Sequence, residues 1–330
     1  MTTIRWGLVG PGAIARKFAR DLRVAGNARL VAVAGRDLTR AQAFAAEFEA
    51  DLAYDDYRAL ADDPNIDIVY IASPHQAHFA PALAMLEAGK AVLCEKPMTV
   101  NAAETRLLIA TARARGVFLM EAVWTRFLPI YARVREWLEA GRIGPVRFAS
   151  STFCVKAGSD PEGRMYNPHL AGGALLDLGI YNLTMLQWLM REAPESFVAQ
   201  AQMAETGVDE MTSVALRYPG NRAGQFTCGM TAHFDNAFII GGEEGCIRLP
   251  SNFICAEEAT LTVGDVVETA REPFRGEGFE YEIEEAMRCL RAGEMESPLL
   301  PHADTLATMT LMDAIRREIG LMYPFEKAAS

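Results

Sequence analysis

Two textures of hydrophobic pattern follow one another along the chain. Over residues 1–121, short β-branched runs alternate with longer Ala-rich segments whose apolar residues recur at helical spacing. Strands are predicted at 4–9, 28–34, 66–72, 91–95 and 117–120, and helices at 13–26, 39–48, 76–88 and 101–115. Asn101 with Glu104 three residues later marks the start of the last of these helices. Strands separated by helices imply βαβ units and a parallel, doubly wound sheet. Past Trp124 the pattern changes. It predicts a helix at 129–140, a strand at 146–155, and a glycine-rich turn, Ala171-Gly172-Gly173, opening an apolar helix at 174–190. The short alternating runs of 196–267 predict a mostly antiparallel sheet, and helices follow at 281–292 and 303–319. The expectation is an α/β protein with two domains, 1–121 and 122–330, the second built on a large open sheet.

Composition narrows the function classes. The chain has 330 residues, half of them apolar, with 32 basic and 43 acidic side chains and a net charge of −11. That balance argues against a nucleic-acid partner, which needs a basic face to displace counterions, and against docking on anionic membranes. Six cysteines, Cys94, Cys154, Cys228, Cys246, Cys255 and Cys289, form no CxxC pair and are expected to be free thiols in a reducing compartment. No apolar run has the length of a membrane span. Gly10-Pro11-Gly12 interrupts the first strand where a signal-peptide core would continue, so a cytoplasmic location is expected.

Gly10-Pro11-Gly12-Ala13-Ile14-Ala15 stands between the first strand and the first helix. In this GxGxxA pattern the first glycine permits a tight turn, the second admits a pyrophosphate against the backbone, and the small Ala15 lets helix and strand pack closely. Gly10, Gly12, Ala13 and Ile14 are therefore expected at a dinucleotide's phosphates, on the free N–H groups of a helix N-terminus. The second strand ends Ala34-Gly35-Arg36-Asp37. Arg36 suits the 2′-phosphate of NADP through its planar fork; the other reading leaves Arg36 solvated and has Asp37 hold the ribose of NAD.

Two clusters carry chemistry. Cys94-Glu95-Lys96-Pro97 closes a strand at its carboxyl end, the edge where open α/β sheets bind ligands. Pro97 restricts Lys96 to an extended backbone and allows a cis bond. Lys96 is either a cleft ammonium or a surface lysine. In the segment 172–182, Asp177 and Tyr181 are four residues apart on one helix face, polar positions in an apolar stripe. A carboxylate there needs a partner, for which Lys96 is a candidate; alternatively Asp177 caps the helix start and Tyr181 packs with its hydroxyl at the rim. His75 and His78 form an HxxH, but with five histidines and no supporting cluster no metal site is expected.

Taken together, the GxGxxA loop, Glu95-Lys96-Pro97 and the segment 172–182 resemble the glucose–fructose oxidoreductase / inositol dehydrogenase family (Gfo/Idh/MocA), over essentially the whole chain. Met120-Glu121-Ala122-Val123-Trp124-Thr125-Arg126-Phe127, and a tyrosine at 181 where most of the family has histidine, are similar to its dihydrodiol dehydrogenase / NADP-dependent D-xylose 1-dehydrogenase branch. Tyr166-Asn167-Pro168-His169 departs from that branch. The resemblance implies an N-terminal Rossmann domain and a C-terminal α/β domain through whose sheet the protein forms a homodimer. It implies that Lys96, Asp177 and Tyr181 are the active-site residues, with Tyr181 as acid/base. Ser73, Pro74, His78, Glu95 and Arg126 then border the cofactor, NADP or alternatively NAD. Trp124 and Phe153 then wall the pocket for a carbohydrate or cyclic diol substrate.

The residue types suit hydride transfer between a nicotinamide and a CH–OH or C=O group. A free phenol titrates near 10, too high for a good base at neutral pH, and a nearby lysine cation favours the phenolate. The competing expectations are a non-catalytic cofactor-binding sensor on the same scaffold, or a reductase of an anhydro-sugar or inositol.

Overall fold

The computed structural model describes residues 2–329, with side chains up to residue 326. Six strands, β1 (Ile4–Val9), β2 (Ala28–Ala34), β3 (Leu52–Tyr54), β4 (Ile68–Ile71), β5 (Ala91–Glu95) and β6 (Leu119–Ala122), form an all-parallel sheet in the order β3-β2-β1-β4-β5-β6. Its strands are apolar without alternation because both faces are covered: all four residues of β4 and all five of β5 are buried. Helices α1 (Ala13–Val24), α2 (Leu38–Phe48), α3 (Arg58–Asp62), α4 (Phe79–Glu87) and α5 (Ala102–Arg115) connect them. Phe18 of α1 stacks on Tyr70 of β4 at 3.6 Å between ring centroids and meets Trp6 of β1 edge-on at 5.3 Å. The strand order reverses between β1 and β4, so the loops after them open the crevice where such sheets bind dinucleotides.

The predicted elements of this sheet recur with two differences. β3 and α3 are only three and five residues long, too short to show a period, and they were not expected. The predicted helix at 76–88 is divided into a 3₁₀ turn, His75–Ala77, and α4. Asn101 does cap α5, its Oδ1 accepting from the Glu104 N–H at 2.9 Å.

The second sheet has eight strands: β7 (Val146–Cys154), β8 (Ser196–Met203), β9 (Asp209–Tyr218), β10 (Arg222–Gly229), β11 (Phe238–Gly242), β12 (Gly245–Leu249), β13 (Glu258–Val263) and β14 (Val266–Arg271). Their order is β14-β13-β12-β11-β7-β10-β9-β8, antiparallel throughout except for the β7–β10 pair. Along β9 buried and open positions alternate, as in a sheet with one covered face. Helices α6 (Pro129–Glu139) and α7 (Ile180–Met190) belong with it, and Asn182 of α7 donates through Nδ2 to the Ser151 hydroxyl of β7 at 2.8 Å. The predicted helix at 174–190 is not uniform: Leu175–Gly179 forms a π-helical turn before α7.

Two compact units result. One runs up to Trp124 and takes in Phe274–Leu306; the other holds Thr125–Pro273 and the chain from Ala307 onward. The two-block division expected near residue 122 does not anticipate the return of 274–306 to the first unit. Hydrogen bonds tie this segment to the first unit. Asp21 of α1, 1% exposed, accepts from the backbone N–H of Glu277 at 2.9 Å and of Phe279 at 2.8 Å, just before α8 (Glu280–Ala292). At the sheet edge, Leu119 of β6 donates its N–H to the Met295 carbonyl at 3.0 Å, and its carbonyl lies 2.8 Å from Nε2 of His302, the first residue of α9 (His302–Glu318).

Candidate active site

The phosphate loop has the geometry its sequence implies. Gly10 takes φ +89°, and a Cβ there would lie 2.8 Å from the backbone of Ala72 and Ser73, so only glycine fits between the ends of β1 and β4. Gly12 is different. Its backbone is extended, and a Cβ would meet nothing nearer than the Gly10 carbonyl at 3.9 Å. A side chain at residue 12 would fill an open cradle before the N-terminus of α1. No side chain caps that helix and no acid stands in its first turn. Ala15 is fully buried, while Ala13 and Ile14 are exposed. An open backbone cradle on an uncapped helix N-terminus fits a dinucleotide pyrophosphate.

The end of β2 packs against the same loop. A Cβ at Gly35 would lie 2.8 Å from Cδ of Pro11, so a carboxylate side chain at residue 35 has no room. Asp37 is the N-cap of α2, its Oδ1 accepting from the Arg40 N–H at 3.1 Å. Arg36, between them, is exposed.

Buried side chains clamp the backbone around Lys96. The Lys96–Pro97 peptide bond is cis. The Lys96 N–H donates to Glu95 Oε2 at 3.1 Å, and Glu95 Oε1 accepts from the Tyr70 hydroxyl. The Pro97 carbonyl lies 2.9 Å from His78 Nδ1, whose Nε2 lies 2.7 Å from the Ser73 carbonyl. The Met98 N–H donates to Glu121 Oε1 at 2.9 Å. Lys96 is half-buried, as are Ser73 and Pro74, while Glu95 and Glu121 are buried.

Burial shifts two of these clamps. His78, with no exposed surface, is pushed down to about 4 by burial first and by the neighbouring His75 second, so its ring is neutral at physiological pH. Both ring nitrogens face backbone carbonyls, those of Pro97 and Ser73, and the neutral ring donates to only one of them. Glu121 is pushed up to about 7 by burial, against the Met98 and Thr305 hydrogen bonds that favour its charged form. Glu121 carries a structural role that the sequence does not single out, because nothing local distinguishes a strand-end glutamate that caps another loop. Trp124 stacks on Phe279 at 4.9 Å between centroids.

In the other unit, Asp177 and Tyr181 are both buried, Asp177 on the π-helical turn and Tyr181 in the first turn of α7. Arg164 donates to Asp177 Oδ1 at 2.9 Å. The sequence signals Arg164 only as a cationic residue in the polar loop before Gly172. Asp177 does not cap the helix start, as one reading allowed. That place belongs to Asp209, whose Oδ2 accepts from the Leu175 N–H at 2.8 Å. The Phe153 ring stands edge-on to Tyr181 at 5.6 Å, and Phe153 also lines a cleft of about 350 Å³ with Val155, Asn236, Asn252 and Ile254. Arg126 is buried at 4% exposure. Among the described residues no group of three His, Cys, Asp or Glu side chains is placed to hold a metal ion, and no helix is long and apolar enough to cross a membrane.

Comparison with known proteins identifies the family of both halves of the chain. Residues 4–123 match a family described as an oxidoreductase family with an NAD-binding Rossmann fold, and residues 131–248 match the GFO/IDH/MocA C-terminal domain. The chain is 39% identical to a trans-1,2-dihydrobenzene-1,2-diol dehydrogenase of Mus musculus, over 98% of this chain and 99% of the relative. Among solved structures, a 3-ketoreductase of Actinomadura kijaniata in complex with NADP and TDP-benzene is 27% identical, with a TM-score of 0.86 over 96% of this chain and 98% of that one. An aldose-aldose oxidoreductase of Caulobacter crescentus, 22% identical, shares the fold with a TM-score of 0.88 over 96% of this chain and 97% of that one.

Proposed function

We propose that this chain, which belongs to the Gfo/Idh/MocA family of oxidoreductases, is an NADP-dependent dehydrogenase of a cyclic trans-diol or a monosaccharide. The cofactor preference rests on one observation. Asp37 spends its carboxylate on capping α2 and Gly35 is closed off by Pro11, which leaves Arg36 as the charged side chain presented at the end of β2. A guanidinium there matches a 2′-phosphate bidentately and has nothing comparable to gain from a bare ribose. The substrate class is supported by the identity with the mouse dihydrodiol dehydrogenase along the full chain.

When bound, the nicotinamide accepts or delivers the hydride. The remaining work falls to this chain's side chains. Gly10 and Gly12 admit the pyrophosphate to the N-terminus of α1. Tyr181 takes the hydroxyl proton as the substrate is oxidised and returns it in reduction. Lys96 supplies the positive charge that favours the phenolate, and Asp177 orients a substrate hydroxyl. Phe153, standing beside Tyr181, offers an apolar surface to a ring. The open face of the eight-stranded sheet carries exposed Phe148 and Val198, which supports homodimer formation through that face. Sedimentation of the purified protein tests this.

Trans-dihydrodiols, aldoses and inositols assayed with NADP and NAD in parallel test the function through the absorbance of the reduced cofactor. NADP-linked oxidation of a diol or an aldose is expected. Tyr181→Phe is expected to cut turnover at least about a hundredfold, the usual scale of a lost acid/base, with NADPH binding intact. Turnover within twofold of wild type would remove Tyr181 from this role, and silence across the panel would favour a cofactor-binding sensor.

A further inference from the structure

The Gly172-Gly173 turn, which opens the segment carrying Asp177 and Tyr181, is held by two side chains distant in sequence. Asp209, at the start of β9, has no exposed surface, and its Oδ2 accepts from both the Leu175 N–H at 2.8 Å and the Thr212 hydroxyl at 2.7 Å. Among the described residues its Oδ1 has no hydrogen-bond partner, and it faces Gly173, where any Cβ would overlap it. Gly173 takes φ +122°, and its carbonyl accepts from the Asp177 N–H at 3.3 Å. From the C-terminal side, the fully buried Tyr323 donates its hydroxyl to the Gly172 carbonyl at 2.8 Å. Tyr323 lies under the Arg316 guanidinium, 5.2 Å from its ring centroid, and Arg316 is fixed by Glu326 and Asp313, each at 2.9 Å.

A buried carboxylate is an expensive way to cap a helix turn. Serine or asparagine would serve as well at lower desolvation cost. Burial pushes Asp209 up to about 7, against its bonds to Thr212 and Leu175 and the pull of Arg316, the cation that faces it; Tyr323 also feels its charge. The π-helical turn that follows is wider than an α-turn and gains less from its own hydrogen bonds, so its orientation depends on such external anchors.

We propose that Asp209, with Tyr323, is a positioning residue for the reaction: the two anchors set the orientation of the turn that presents Asp177 and Tyr181. This rests on the proton-transfer role given to Tyr181 above. Loosening the anchors leaves the phosphate loop and Arg36 intact but lets the phenol sample poor geometries.

The test uses the full-length enzyme with NADP and its best substrate, with kcat normalised to sites counted by NADPH binding. Asp209→Ala is expected to lower kcat per site at least tenfold with KM changed less than threefold. It is also expected to move the base limb of the kcat/KM pH profile up by about one unit, toward the free phenol value near 10. Asp209→Asn keeps an acceptor for Leu175 and Thr212 and is expected to recover at least half of the loss on a logarithmic scale. Tyr323→Phe keeps the buried ring, and should show the same limb movement with a smaller, about threefold, loss of kcat; it carries the test if Asp209→Ala does not fold. A purely structural role would lower the melting temperature or the number of binding sites without moving the limb. A per-site kcat within twofold of wild type, or an unmoved limb, overturns the proposal. Absence of wild-type turnover on every substrate would overturn the assigned function, and this inference with it, whereas an active wild type with unaffected variants would overturn the positioning role alone.

Discussion

Arg164 places its Nη1 2.9 Å from Oδ1 of Asp177, joining a side chain that is 53% exposed to one that is 5% exposed. The carboxylate is therefore oriented before any substrate arrives. Arg164→Ala should lower kcat/KM about tenfold, the scale of one charge-assisted hydrogen bond, and Arg164→Lys should fall between variant and wild type. NADPH binding should stay within twofold. Steady-state kinetics beside a fluorescence titration of the cofactor separates the two effects.

Arg36 is the side chain we expect to tell the two cofactors apart. Arg36→Ala should weaken NADPH binding by about 10- to 100-fold, the range of a lost bidentate contact to a phosphate, while NADH binding changes less than threefold. Equal losses for both cofactors would assign Arg36 to general electrostatics.

Gly10 and Gly12 should respond in opposite ways to the same substitution. Gly10→Ala imposes a Cβ at φ +89° and 2.8 Å from backbone atoms, so it should lower the melting temperature by several degrees, as expected for a cost on the order of 1–2 kcal/mol or more. Gly12→Ala meets no atom closer than 3.9 Å and should melt as wild type does. Its methyl group would occupy the cradle, so NADPH affinity should fall at least about tenfold. Thermal melts with and without NADPH check both.

Glu121 should leave a signature in the pH dependence of stability. Its ordinary value of 4.5 is raised to about 7 in the folded protein. Between those values the folded chain holds a proton that the unfolded chain has lost. Stability from this group is therefore full below about 4.5, declines as pH rises toward 7, and is lost above it, by on the order of 3 kcal/mol. Glu121→Gln removes the titration and retains an acceptor for the Met98 N–H. Relative to wild type, the variant should gain stability from pH 4.5 to pH 8, measured by urea unfolding at both. A constant difference across that range would mean that Glu121 is not held protonated.

What the sequence revealed was mostly local. The GxGxxA loop, the Asn101 cap and the alternation of strands and helices are written within a few residues of one another, and each appears where its pattern falls. The eight-stranded sheet was legible as a type, through its short alternating runs, but not in its order: nothing in 146–154 announces that β7 pairs in parallel with β10, some 70 residues on. The anchors of the site were hidden for the same reason. Asp209, Arg164 and Glu121 are ordinary acidic and basic residues until the fold brings a helix start, a buried carboxylate or a cis-proline loop against them. Asp37 shows the converse. Local sequence offers it as a ribose ligand, and its Oδ1 also accepts from the neighbouring Arg40 N–H as a cap, a second role written equally locally.

The dependence of Asp21 and Leu119 on residues 277–302 has a consequence for how the protein is made. As the ribosome releases the first 124 residues, the parallel sheet emerges with one border strand bare and a carboxylate lacking its amide donors. Those gaps close only after more than 150 further residues have followed. A gene fragment stopping near residue 121 would thus yield a sticky, incomplete nucleotide-binding half, and a usable one would need the stretch up to Leu306 grafted back by a linker.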